Sequence, residues 1–361
     1  MQFEKWQALG NDYLIVERDE LPFAITAARV RMLCDRHLGI GSDGLLVLSR
    51  PEDRDSSRQS AEGARAQGDA QQDARVHGAL QEGTRAQGDP QGGDRAEGAR
   101  TGEGRRGDAQ RPVARLQIFN PDGSSAELSG NGARQALLYL RRRGWVAEDS
   151  FTIETDAGLI SAQIIDASTC RVHMGRASLT SKDHPGGRES GLGSVHSGGR
   201  DWAFRHVSIG NPQCAIEVAD PQSLEQLDLA AIGPAIEGSE MFPNRTNVSW
   251  YAQLGGGVEG RRAPGGARDE PAAIRARIFE RGVGETLSSG TGAIGAAIAH
   301  LLGTGQLRQS SSRHAVRVIL GGGELLVEVD GDLDVHLTGW ARPVFAGRLS
   351  EDLIEELNET K

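Results

Sequence analysis

The chain carries the same small-residue turn twice, each time at the start of an apolar segment with helical spacing. The first copy is LSGNGARQALLYL at 128–140 and the second is SSGTGAIGAAIAH at 288–300. The preceding residues also repeat, because IFNPDGSSAEL and IFERGVGETLS reach the two turns with the same spacing. Upstream, GNDYLIVE from Gly10 resembles GNPQCAIEV from Gly210. This self-similarity predicts an internal duplication at domain scale.

The residues of the repeated turn suggest a ligand. Small residues let a ligand approach the backbone closely, and the helix that follows presents free N–H groups and a positive dipole end. This combination binds anions such as phosphate or carboxylate. A single turn of this kind would more often be an ordinary helix N-cap with serine as the cap. Its duplication, with the same lead-in, favours an anion site in the cleft between two domains.

One long segment differs from the rest of the chain. Residues 51–112 hold almost no large apolar side chains and repeat the pentapeptides RAQGD and AEGAR. Such a composition cannot bury enough apolar surface to offset the entropy of ordering, so it predicts a disordered insertion. The alternative is a partner-binding segment.

The remaining chain has a mostly β pattern. Helices are expected at about 25–36, after Gly130, after Gly290 and at the end of the chain. The glycine-rich stretches at 184–200 and 254–270 are expected to be loops. Strands are predicted for ten short β-rich runs: YLIVE, GLLVLS, RLQIFN, FTIET, LISAQII, CRVHM, CAIEV, IRARIF, AVRVIL and ELLVEV.

Charge and cysteine usage exclude several classes of protein. The formal net charge of −10 argues against a nucleic-acid partner, because phosphate binding needs a basic surface. Cys34, Cys170 and Cys214 form no C-x-x-C motif, so no structural metal site is expected and a reducing compartment is favoured. The sequence shows no signal-peptide pattern and no apolar run of membrane-spanning length. We therefore expect a cytoplasmic protein with neither a nucleic-acid nor a membrane partner.

Seven motifs, in order, resemble those of the diaminopimelate epimerase family, which are cofactor-independent amino-acid racemases. They are KWQALGNDYLIVE, DRHLGIGSDGLLVL, IFNPDGSSAELSGNGAR, SIGNPQCAIEV, FPNRTNVSW, FERGVGETLSSGTGA and LTGWARPVFAG. The resemblance implies an α/β (α+β) fold of two pseudo-symmetric domains, each an antiparallel sheet wrapped around a central helix. The expected ranges are 1–145 with the insertion at 51–112, then 146–340, with 341–361 returning to the first domain.

The resemblance also implies a reaction. The family interconverts LL- and meso-diaminopimelate in lysine biosynthesis, using one cysteine to remove the α-proton and a second to return a proton on the opposite face. It implies a homodimer with a small-molecule amino-acid substrate, no metal and no pyridoxal phosphate. The substrate-binding residues implied by the matching motifs are Asn11, Asn120, Gly130, Asn131, Asn211, Asn247, Glu280, Arg281, Gly290 and Thr291.

This chain departs from the family at the positions that carry the chemistry. Ser129 and Ser289 stand where the family has its two catalytic cysteines, and Gln213 stands where it has a histidine. With the supporting acid Glu280, these form the expected catalytic set. A serine hydroxyl is a far weaker acid than a cysteine thiol, whose pKa near 8.5 falls further at a helix N-terminus. We therefore expect very low unaided turnover.

Three interpretations stay open on the sequence alone. In the first, the chain is a diaminopimelate epimerase with serine at both acid/base positions. In the second, it is a sister enzyme of the same fold, such as a hydroxyproline epimerase or a dehydratase. In the third, it is a non-catalytic binding protein or a deliberate Cys-to-Ser variant. The binding motifs favour the first substrate class over the second, whereas the paired serines favour the third on activity.

Overall fold

The computed structural model describes residues 1–51, 111–255, 271–308 and 312–360. The predicted insertion, apart from its ends, and residues 256–270 of the second glycine-rich stretch lie outside these ranges. Met1–Ser49 and the chain from Pro112 onward form one compact body.

The described residues contain eighteen strands and six α-helices. The strands are β1 Gln2–Ala8, β2 Asn11–Glu17, β3 Leu45–Ser49, β4 Arg115–Phe119, β5 Ser125–Ala126, β6 Ser150–Thr155, β7 Gly158–Ile164, β8 Thr169–Arg176, β9 Leu192–Ser197, β10 Arg200–Ser208, β11 Pro212–Glu217, β12 Asn247–Gln253, β13 Ala272–Glu280, β14 Gly284–Thr286, β15 His314–Leu320, β16 Gly323–Val329, β17 Asp334–Trp340 and β18 Arg342–Arg348. The helices are α1 Ala27–Cys34, α2 Gly130–Arg142, α3 Pro221–Glu225, α4 Leu229–Glu237, α5 Gly290–Gly303 and α6 Glu351–Glu359, and two 3-10 turns lie at Arg18–Glu20 and Gln306–Arg308.

The strand pairing repeats from one half to the other. In the first half, β1 is antiparallel to β2, β2 is parallel to β3, β3 is antiparallel to β4, and β4 is parallel to β6. In the second half, β10, β11, β12, β13 and β15 pair in the same order and with the same directions. Each half then adds two antiparallel strands, β7–β8 or β16–β17. The duplication predicted from the two turns is therefore present in the topology.

Five further pairings complete the sheet, of which two join β5 to β4 and β14 to β13. β8 is antiparallel to β17 and thereby joins the two halves edge to edge. β9 pairs with β10, and β18, the last strand, returns to pair with β1, the first. Because the described strands form one continuous sheet, the predicted domain boundary at 145/146 stays a prediction.

Helices α2 and α5 are the central elements of the two halves. α2 is buried from Gly130 to Leu140 and α5 from Gly290 to Leu301. Both sequences are rich in glycine and alanine near the N-terminus, which lets the strands pack close around them. The α/β fold with sheets around central helices is thus confirmed. Within the described ranges, no helix combines the length and apolar character needed to cross a membrane.

The structure corrects the prediction that residues 184–200 are a loop, since β9 and the start of β10 lie there. Gly193 had suggested a break, but a Cβ at this position would meet the ring of Phe204, its cross-strand partner, at 2.5 Å. The glycine marks a close approach inside a strand rather than a turn. Helices α3 and α4 were also not predicted. In α4 an internal Pro234 hides the helical pattern, because proline normally interrupts a helix.

Candidate active site

The N-termini of α2 and α5 meet at their first residues. A Cβ atom built on Gly130 would lie 3.2 Å from the Cα of Gly290, and one on Gly290 would lie 3.1 Å from the Cα of Gly130. Only glycine lets the two helix starts approach so closely. Two positive dipole ends therefore converge on one point.

A cavity of about 1050 Å³ opens at this point. It is lined by all but one of the residues predicted for the site, namely Asn11, Asn120, Ser129, Gly130, Asn131, Asn211, Asn247, Glu280, Arg281, Ser289, Gly290 and Thr291. The exception is Gln213. Residues that are up to 280 positions apart in sequence are thus brought to one cleft between the two halves.

Ser129 and Ser289 are the N-caps of the two central helices. Both have extended backbone angles. Ser129 Oγ accepts a hydrogen bond from the N–H of Gly132 at 3.1 Å, and Ser289 Oγ accepts one from Gly292 at 3.2 Å. Each hydroxyl thereby satisfies one of the four free N–H groups of its helix.

The two serines have different neighbours. The hydroxyl of Tyr13 lies 3.4 Å from Ser129 Oγ. Burial raises the pKa of Tyr13 to about 12. Ser289 instead lies beside the carboxylate of Glu280. Thr286 Oγ1 donates to Glu280 at 3.2 Å. Burial raises the pKa of the Glu280 carboxyl, and the hydroxyls of Ser289 and Thr286 oppose the increase.

Two glycine–asparagine turns place amides at the rim of the cleft. Gly10 and Gly210 both have positive φ angles, +88° and +84°, which glycine adopts without strain. The asparagines that follow differ in their contacts. Asn11 donates to the carboxylate of Asp43 at 2.9 Å, and Asn211 donates to Thr291 Oγ1 at 3.3 Å.

Asn247 and Arg281 are held together in the lining of the same cavity. Asn247 Oδ1 accepts from the backbone N–H of Arg281 at 2.9 Å, while its amide nitrogen donates to the carbonyl of Pro212. The guanidinium of Arg281 donates through Nη1 to the carbonyl of Asn244 at 2.9 Å. Within the described residues this is its one side-chain hydrogen bond, and the residue is exposed and lines the cavity.

Asn131 connects the two halves behind the helix starts. Its amide nitrogen donates to Ser288 Oγ at 3.1 Å, and its Oδ1 accepts from the guanidinium of Arg134 at 2.7 Å. Arg134 is fully buried and also donates to the carbonyl of Gly130. Desolvation lowers its pKa to about 10, so it keeps its charge at neutral pH. In the described ranges no carboxylate forms an ion pair with it. Asn120, in contrast, is bound within its own turn and donates to Ser124 Oγ.

Gln213 lies behind the cavity rather than in it. It is wholly buried, packs on Gly295, and donates from Nε2 to Asn211 Oδ1 at 2.7 Å. Gln213 is thus absent from the cavity lining, and its predicted catalytic role stays a prediction. Its hydrogen bond fixes the orientation of the Asn211 amide, so any role is exerted through that residue.

Tyr13 and Asp43 line the cavity but were not predicted as site residues. The sequence did carry a signal for Tyr13, because strand alternation places it on the same face of β2 as Asn11. Asp43 sits between Gly41 and Gly44, both with positive φ angles. Its carboxylate accepts a hydrogen bond from the guanidinium of Arg36 at 2.7 Å. The sequence signal that could have identified Asp43 was this glycine-rich turn.

Comparison with known proteins decides the family. The family model described as diaminopimelate epimerase matches residues 103–180 and 205–343. The chain belongs to the diaminopimelate epimerase family. A relative named diaminopimelate epimerase 2 from Nostoc sp. is 31% identical, covering 98% of this chain and 97% of that one. The diaminopimelate epimerase of Desulforudis audaxviator is 32% identical, covering 96% and 99%.

Several solved structures share the fold of this chain. A probable proline racemase from Agrobacterium radiobacter superposes with a TM-score of 0.55 at 13% identity, covering 97% of this chain and 93% of that one. A hydroxyproline epimerase from Agrobacterium vitis gives 0.53 at 14%, covering 98% and 93%. A phenazine biosynthesis protein of the PhzF family from Bacillus anthracis gives 0.53 at 14%, covering 97% and 99%.

Proposed function

We propose that this chain binds diaminopimelate in the cleft between its two halves and is a cofactor-independent member of the epimerase family with very low epimerase turnover. The interconversion of LL- and meso-diaminopimelate in lysine biosynthesis is the nominal reaction. We further propose a cytoplasmic homodimer. The observation that carries the proposal is the convergence of two helix N-termini, at Gly130 and Gly290, on one cavity.

The reacting α-carboxylate fits between the two helix starts. The N–H groups of Gly130 and Asn131 on one side, and of Gly290 and Thr291 on the other, belong to first helical turns that have no intrahelical acceptors. Such groups stabilise a carboxylate, and they stabilise still better the dianion formed when its α-proton leaves. The buried cation of Arg134 adds to this field from behind.

We assign the remote end of the substrate to Arg281 and Asn247 in the lining of the same cavity. The planar guanidinium of Arg281 suits bidentate contact with a second carboxylate. Asn247 holds the backbone of Arg281, and Asn11 and Asn120 supply amide groups for the substrate's polar ends. The carboxylate of Asp43 provides a site for an ammonium group. A ligand with two carboxylates and two ammonium groups satisfies these groups, and a monocarboxylic imino acid does not.

The paired serines limit the chemistry. Each unit of pKa between a thiol and a hydroxyl is worth about 1.4 kcal/mol in populating the anionic base. Several units remove several orders of magnitude from proton abstraction unless another base assists. The groups proposed to bind the substrate are therefore retained, whereas the serines weaken the two-base proton transfer.

Isothermal calorimetry tests the proposal. LL-diaminopimelate should bind, whereas 1,5-diaminopentane, which lacks both carboxylates, should not. The Arg281→Met variant should lose at least about tenfold in affinity, equivalent to about 1.4 kcal/mol. Arg142→Met, an exposed arginine at the other end of α2, is the matched control and should bind as the unchanged chain does. Tighter binding of trans-4-hydroxy-L-proline than of diaminopimelate would contradict the proposal.

A further inference from the structure

The duplication places chemically different residues at equivalent positions on the two sides of the cleft. Aligned on the repeated motifs, Asn120 in the first half corresponds to Glu280 in the second, and Tyr13 corresponds to Gln213. A carboxylate therefore stands beside the repeated turn in one half, and a neutral amide stands at the equivalent position in the other. Both Asn120 and Glu280 line the cavity.

On the α5 side, the serine is coupled to a base. The Ser289 hydroxyl lies beside the Glu280 carboxylate and lowers its pKa, and Thr286 donates to the same carboxylate at 3.2 Å. Burial raises the pKa of this carboxyl and thus its proton affinity, and the hydroxyls of Ser289 and Thr286 oppose that increase. The charged or titratable groups that face Glu280 are Asp43 and Tyr13.

On the α2 side, the serine has no such partner. The described contacts of the Ser129 hydroxyl are the phenol of Tyr13 at 3.4 Å and the N–H of Gly132. A buried phenol whose pKa is raised to about 12 stays neutral at pH 7. Asp43 lies nearby, but its oxygens already accept from Arg36, Asn11 and the backbone of Asp12. No free base therefore adjoins Ser129 in the part of the chain that the structure describes.

We propose that this site transfers protons on one face only, so that it exchanges the α-hydrogen of diaminopimelate with retention of configuration instead of inverting it. The C–H bond facing Ser289 breaks, and its electron pair stays on the α-carbon and spreads into the carboxylate. The proton passes to Ser289 Oγ as the serine proton passes to Glu280. The reverse step returns a solvent-derived hydron to the same face. This inference rests on the proposed function.

Heavy-water exchange tests the proposal. Diaminopimelate isomers are incubated with the full chain in D₂O, the α-proton signal is followed by NMR, and configuration is followed by chiral chromatography. We expect the α-proton of one configuration to be lost with its configuration kept. Inversion at a rate similar to exchange would show that the Ser129 side also transfers a proton, and would overturn the inference.

Variants separate the base from the binding site. Glu280→Gln should lower exchange by at least about 100-fold, the lower end of general-base contributions. Glu225→Gln, a surface carboxylate paired with Arg275, should leave exchange unchanged. Thr286→Val removes a donor that lowers the pKa of Glu280, so the pH midpoint of exchange should move upward. An unmoved midpoint would contradict Glu280 as the base.

Calorimetry on the same samples distinguishes a failure of the one-face inference from a failure of the proposed function. Binding of diaminopimelate without exchange by the unchanged chain would overturn the one-face inference and leave the proposed function standing. Absence of binding would overturn the proposed function, and the inference with it.

Discussion

Replacing the two cap serines by alanine should destabilise the fold without touching the core. Ser129 and Ser289 each satisfy one helix N–H, at 3.1 and 3.2 Å. Loss of an N-cap hydroxyl costs about 1 kcal/mol. Each single variant should therefore lose about 1 kcal/mol of unfolding free energy. The double variant should lose about 2 kcal/mol, with a departure from additivity because the two helix starts are in contact.

Urea unfolding followed by circular dichroism measures this loss. In a body of this size, 1 kcal/mol corresponds to roughly 2–4 °C in melting temperature, so the double variant should melt about 4–8 °C lower. Ser350→Ala is the matched control for a cap outside the site, because Ser350 caps α6 through Leu353 at 3.3 Å. Glycine at positions 129 and 289 should recover most of the loss, since glycine is a tolerated cap.

An unchanged unfolding midpoint in both alanine variants would refute this reasoning, because it would show that the two hydroxyls do not stabilise the helix starts. A loss that glycine fails to recover would also contradict capping as the cause. If capping is correct, cysteine at these positions should also cost stability, since sulfur is a weak hydrogen-bond acceptor.

Three further predictions concern the residues around the helix starts. Gly130→Ala should cost about 1–3 kcal/mol in a denaturation assay, because its Cβ would overpack against Gly290 at 3.2 Å, and diaminopimelate binding should fall in calorimetry. Arg134→Met should weaken diaminopimelate binding while the chain still folds, since it removes a buried cation that has no carboxylate partner among the described residues; equal affinity in calorimetry would contradict this. Burial raises the pKa of Glu280, so the folded state holds that proton more tightly than the unfolded state does. The unfolding free energy should therefore fall as the pH rises from about 4.5 toward the folded pKa. A pH series of denaturation curves should show this slope, and Glu280→Gln should remove it.

The repeated turn was enough to predict much of the fold. Small residues before an apolar helical run predicted the starts of α2 and α5 to within one residue, and the duplication predicted that these helices are equivalent. Strands with a short run of apolar residues, such as β3 and β15, were equally clear. β9 was missed because Gly193 looks like a turn residue, and its close approach to Phe204 depends on a pairing that a local pattern does not specify.

Site residues could be predicted where a sequence motif specifies them. They could be predicted less well where the fold determines whether the side chain reaches the cavity. Asn11, Asn247 and Arg281 all reach the cavity. Gln213 does not, because strand β11 is buried on both faces and packs against α5, which no motif reveals. The different neighbours of Ser129 and Ser289 also follow from the three-dimensional packing rather than from the shared turn.

The most direct test of the account compares the unchanged chain with the Ser129→Cys, Ser289→Cys double variant in the interconversion of LL- and meso-diaminopimelate. The account holds that the cleft binds this substrate and lacks only a complete acid–base pair for inversion. It predicts that the double variant inverts the α-carbon at least about 100-fold faster than the unchanged chain, the scale of a general acid–base contribution. Inversion by the unchanged chain at the rate of the double variant would contradict it.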